Sequence, residues 1–149
     1  MAKKSMLIPL FIFYSLFVAP VSGENYDFSN ASVIVSENIA PVFRETIVDI
    51  LREETYRLAR IHLPQGKEWT GTNIALSLAA DASLYGEPFP EGIELPVEDE
   101  SYTVALDSGK GRKTRWLIGK DERGLLFAAG HLLRTMLFES QTITFNSGN

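Results

Sequence analysis

Apolar positions along this chain change their spacing several times, and each change marks an element. Val33, Ile34 and Val35 form a β-branched run inside residues 31–36, which predicts a strand. After Pro41 the chain runs to His62 with neither Gly nor Pro. Phe43, Ile47, Ile50, Leu51, Leu58 and Ile61 recur there at spacings of three and four, one face of a helix. Pro41 suits the first turn, where a missing N–H costs nothing, and Leu63-Pro64-Gln65-Gly66 ends the run. Residues 73–79 alternate large and small side chains as a strand does, Tyr102, Val104 and Leu106 alternate within 101–106, and 112–118 is a further strand candidate. The segment between the last two, Asp107-Ser-Gly-Lys-Gly111, carries the Gly and Asp of a hairpin turn, so these strands should pair antiparallel. Asp121 precedes a helix expected over 123–137, with Glu122 in its first turn. Ile143 centres a last short strand at 141–145. The order strand, helix, strand, strand, strand, helix, strand predicts an α/β (α+β) two-layer sandwich, a mixed sheet of about five strands with two helices packed on it.

The first residues fall outside that domain. Lys3 and Lys4 precede an almost wholly apolar stretch from Met6 to Val18, and Val21-Ser22-Gly23 supplies small residues before Glu24. Residues 1–23 therefore read as a signal peptide, with a secreted or periplasmic product. The apolar run between Pro9 and Pro20 is shorter than the ~20 residues a spanning helix needs, so no stable membrane anchor is expected. Residues 24–30 are polar and read as a loose leader, 31–145 as the domain, and 146–149 as the start of a linker. With Lys3 and Lys4 removed, 12 basic and 19 acidic residues leave a net charge of −7, which argues against a nucleic-acid partner. The chain has no cysteine, hence no disulfide framework.

Candidate chemistry is sparse. Residues 81–100 contain Gly86, Pro88, Pro90, Gly92 and Pro96 together with seven acids and no Lys or Arg, which reads as a solvated surface loop. Lys110, Arg112, Lys113, Arg115 and Lys120 surround the hairpin and should form a solvated basic surface facing that loop. Gly109-Lys110-Gly111 leads into a strand, so it lacks the helix start that a phosphate-binding loop requires. Glu54 sits in the first helix's apolar stripe, where its carboxylate is expected to reach the edge and meet an Arg or a backbone donor. His62 and His131 have no metal-ligand partner at i+4, and there is neither a cysteine nor a Gly-x-Ser-x-Gly elbow. No catalytic residue, metal or cofactor is assigned. The second helix is more informative. At 100° per residue, Leu125, Leu126, Ala129, Leu132, Leu133 and Met136 share the side expected to face the sheet, while Phe127, His131 and Arg134 share the opposite one. A lone exposed aromatic is ordinary. Aromatic and Arg together are enriched in interfaces, which makes Phe127, His131 and Arg134 a candidate interdomain docking surface.

The stretch from Trp116 to Arg134, an apolar strand joined to a capped helix by an acidic turn with a glycine on either side, resembles the end of the N-terminal α/β domain of several glycoside hydrolases. These are the family-20 β-N-acetylhexosaminidases, their family-84 relatives and the family-67 α-glucuronidases. The specific piece is Ile118-Gly-Lys-Asp-Glu-Arg-Gly-Leu-Leu-Phe127 with Leu132-Leu-Arg134. Ser32-Val-Ile-Val, Ile47-Val-Asp-Ile-Leu-Arg-Glu-Glu54, Leu63-Pro64, Ile74-Ala-Leu and Ser101-Tyr-Thr-Val104 extend the likeness as pattern. The resemblance implies a small α/β sandwich in front of a (β/α)8 barrel that holds the catalytic acids. It thus implies a non-catalytic accessory domain of an exported glycoside hydrolase, whose partner is that barrel in cis or in trans. The acidic pairs Glu53-Glu54, Asp99-Glu100 and Asp121-Glu122 are neighbours in helix, loop and helix start, and none resembles the barrel's catalytic pair. A different class of reading is a free-standing module that binds carbohydrate or another envelope protein.

Overall fold

The computed structural model describes residues 23–146. The β-branched run becomes β2 (Ser32–Val35), buried along its whole length. It lies between β3 (Gln65–Gly66) and β4 (Thr72–Leu78), both parallel to it. Next comes β8 (Lys113–Gly119), parallel to β4, and then β7 (Tyr102–Asp107), which pairs antiparallel with β8 as the hairpin turn predicts. The five-stranded mixed sheet has the order β3-β2-β4-β8-β7. Parallel central strands must be covered on both faces, which accounts for the continuous apolar runs in β2 and β4.

Two helices cover one face: α1 (Pro41–Ala59) and α2 (Glu122–Thr135). Val33, Val35, Ile74, Leu76 and Leu117 point toward them and pack with Ile47, Leu51, Leu125, Ala129 and Leu132. The alternate residues Ile34, Ala75, Trp116 and Ile118 point the other way. Their cover comes from 81–100. There β5 (Ser83–Leu84) and β6 (Glu87–Pro88) form a short hairpin, and Leu84, Tyr85, Phe89 and Ile93 pack onto the sheet. The segment expected to be a solvated loop is therefore a lid for the second core. Glu91, Glu94, Glu98 and Asp99 stay exposed while its sparse apolar residues, separated by prolines, do the covering.

Three further expectations need correction. Residues 25–27, expected in the loose leader, form β1 (Asn25–Asp27), which pairs antiparallel with β10 (Thr142–Asn146). The last strand does not join the five-stranded sheet. It forms a three-stranded sheet with β1 and β9 (Leu137–Glu139), because this arrangement buries Ile143 and Phe145 against Phe28 beside the helices. Finally, α1 ends at Ala59 rather than His62. Arg60 takes the left-handed conformation (φ 61°) and its N–H donates to the Tyr56 carbonyl at 2.9 Å. The buried stripe of α1 is Ile47, Val48, Leu51, Thr55 and Ala59, while Leu58 is exposed. Apolar residues on two adjacent faces of α1 allowed either stripe. The small Thr55 and Ala59 select the closer approach, and Thr55 returns its hydroxyl to the Arg52 carbonyl at 3.1 Å.

The proposed signal peptide, apart from Gly23, and residues 147–149 of the proposed linker lie outside the described residues. Among the described residues no helix is long and apolar enough to cross a membrane.

Candidate functional site

The second helix starts where two of the three acidic pairs meet. The Asp121 carboxylate accepts from the Gly124 N–H at 2.8 Å, capping α2, and its other oxygen accepts from the Glu100 N–H at 2.9 Å. These donors hold the Asp121 carboxyl below its usual range, the Gly124 amide contributing most. Glu100 in turn binds Arg123 at 2.5 Å. Both carboxylates are thus engaged in joining the end of the lid segment to the helix. Glu54 meets Arg57 one turn on at 2.5 Å, the edge contact expected of it.

Along α2, Gly124, Leu125, Ala128, Ala129 and Leu132 are buried, and Leu126 and Leu133 are half-buried. Phe127 is 46% exposed and Arg134 is exposed, its guanidinium lying back over Gly130. His131 is half-buried, with Nδ1 3.3 Å from the Tyr102 hydroxyl and the two rings edge to face. Tyr102 also lines a shallow groove at the β7 edge with the exposed Leu95 and Val97. His131 thus joins the outer side of α2 to the edge strand of the sheet. The other histidine, His62, stacks on Tyr56 at 4.4 Å. Among the described residues no cluster of three or more His, Cys, Asp or Glu is placed to hold a metal ion.

The basic hairpin is less uniform than its sequence. Lys110 and Arg112 both reach Glu87 on the lid, at 2.7 and 2.9 Å, as charge complementarity with the acidic segment predicts. Lys110 and then Arg112 hold the Glu87 carboxyl below its usual range. Arg115, counted among the solvated cations, is instead buried beneath β10 with its guanidinium 4.9 Å from the Phe145 ring centre. Burial lowers its tendency to carry charge.

One site was not visible in the sequence. Trp69, Phe89 and Trp116 meet at ring separations of 5.4 and 5.5 Å on the lid side of the sheet. With Glu87, Arg112 and Asp107 they line a cleft of about 450 Å³. These residues come from three stretches of chain, around 69, 87–89 and the 107–116 hairpin, and only the fold brings them together.

The structure defines the class as a two-layer α/β sandwich with one helical face and one lidded face. No family model matches the chain, and no curated protein matches it. Among solved structures it is similar to a novel family GH115 4-O-methyl-α-glucuronidase, BtGH115A, which has specificity for decorated arabinogalactans. The TM-score is 0.51 and the identity 15%, over 71% of this chain and 13% of that one. The chain thus spans a small fraction of that protein's length. At this identity the likeness shows the fold. That protein's family, GH115, is none of the three suggested by the sequence.

Proposed function

We propose that the chain is a non-catalytic accessory domain of an exported glycoside hydrolase, β-N-acetylhexosaminidase-like or α-glucuronidase-like, that acts in carbohydrate metabolism by supporting a catalytic (β/α)8 barrel in cis or in trans. Residues 1–23 are its signal peptide in this reading, and Phe127, His131 and Arg134 are its docking surface toward the barrel. The supporting observation is the fold's likeness to a small part of a glucuronidase chain. The acids that pair in this domain are tied to structure: Asp121 to the cap, Glu100 to Arg123, Glu54 to Arg57.

The test is direct. The purified chain is expected to hydrolyse neither aryl N-acetyl-β-glucosaminides nor aryl glucuronides above a matched blank. Turnover that follows the protein through purification and disappears on replacing a single acidic residue would overturn the accessory reading.

A further inference from the structure

The Trp69–Trp116 cleft has the makings of a ligand site that does not depend on a partner domain. Its volume of about 450 Å³ falls within the range of small-molecule pockets. Its wall combines flat apolar rings with a paired acid and base. Arg112 lies over the Trp69 ring at 5.2 Å and donates to Glu87 at 2.9 Å, which fixes the guanidinium plane and leaves further N–H groups for another acceptor. Asp107 adds a second carboxylate on the same wall.

Two indole donors reinforce the reading. Trp116 is 2% exposed, and neither its Nε1–H nor the buried Nε1–H of Trp69 has an acceptor among the described residues. Unsatisfied buried donors are uncommon in native proteins, because each carries the cost of its lost hydration. Both indoles belong to the cleft wall, so an acceptor for them would have to come from that side.

The lining decides the ligand's charge. Glu87, Glu91 and Asp107 outnumber Lys110 and Arg112, and both cations are already bound to Glu87. An added anion meets excess negative charge, and an added cation competes with two resident ones. A neutral ring with hydroxyl groups on its rim and C–H groups on its face meets neither obstacle. It donates to the carboxylates, accepts from Arg112 and packs against the half-buried rings of Trp69 and Phe89. We propose that this cleft binds a neutral pyranoside of one or two sugar units. This proposal does not rest on the accessory-domain reading, which concerns the opposite, helical face.

The chain contains two tryptophans and both line the cleft, so intrinsic fluorescence reports on this site. Titrating the full chain with cellobiose, xylobiose, galactobiose, N,N′-diacetylchitobiose and methyl β-glucuronide should give a saturable change with at least one neutral sugar, at a dissociation constant on the order of 1 mM. Methyl β-glucuronide should bind more weakly. Glu87→Gln and Arg112→Gln should each weaken the neutral ligand about tenfold or more, whereas Glu37→Gln, at a different pocket, should not. Saturable binding lost in the cleft variants supports the site. No saturable change with any neutral sugar up to about 50 mM, far above the expected constant, overturns it without recourse to the variants. Tighter binding of the glucuronide, or equal affinity in Glu87→Gln of unchanged thermal midpoint, also overturns it.

Discussion

Gly124→Ala should destabilise the domain by about 3 kcal/mol or more, a drop of roughly 10 °C or more in thermal midpoint. A Cβ at this position would overlap the Ser101 carbonyl oxygen and lie 3.1 Å from the carbonyl carbons of Glu100 and Ser101. Neither side of the contact can yield easily. The Ser101 carbonyl accepts from the Lys120 N–H at 2.9 Å, and the Glu100 N–H is held by Asp121. On the helix side, Gly124 is fixed by the same Asp121 carboxylate. Relief therefore requires moving α2 off the start of β7 or breaking the cap. Gly71→Ala is the control. No atom lies within 4 Å of a Cβ built there, so its stability should stay within about 0.5 kcal/mol of the parent. Calorimetric melting of the two variants beside the parent settles the difference.

Phe28→Ala should cost about 3–5 kcal/mol, measured as a lower midpoint in urea at unchanged slope. Phe28 is fully buried, packs edge to face on Phe145 at 5.0 Å, and donates its N–H to the Ile143 carbonyl at 2.8 Å. Deleting its ring opens a cavity at the joint between the small sheet and the helical core. A loose leader over 24–30 would lose almost nothing on the same substitution, so the measurement separates the two descriptions of the N-terminal segment.

What the sequence disclosed follows from how local each signal is. The β-branched run at 33–35, the turn at 107–111 and the Asp121 cap each act within a few residues, and each forms where expected. The small sheet was hidden because β1 is three residues long and pairs Asn25 with Asn146 at the far end of the chain. The end of α1 was hidden because an arginine occupies the left-handed position that glycine usually marks. In the lid, prolines break the periodicity that would have shown Leu84, Tyr85, Phe89 and Ile93 to be packed. Phe127 and Arg134 are exposed as their helical spacing implied, but the aromatic edge contact of His131 with Tyr102 depends on a strand 29 residues earlier. The cleft required three separate stretches of chain at once, and no spacing rule announces that.

The helical face carries the central claim, that this domain works by docking a catalytic barrel. The most direct measurement is the affinity of the chain for such a barrel supplied in trans, compared with the Phe127→Ala, Arg134→Ala double variant by surface plasmon resonance. Phe127 is already 46% exposed in the domain, so the double variant should melt within about 2 °C of the parent. Its affinity for the barrel should nevertheless fall about tenfold or more, since aromatic and arginine anchors dominate interfaces. Unchanged affinity in a well-folded double variant, or a large loss of stability in the isolated domain, would contradict the account.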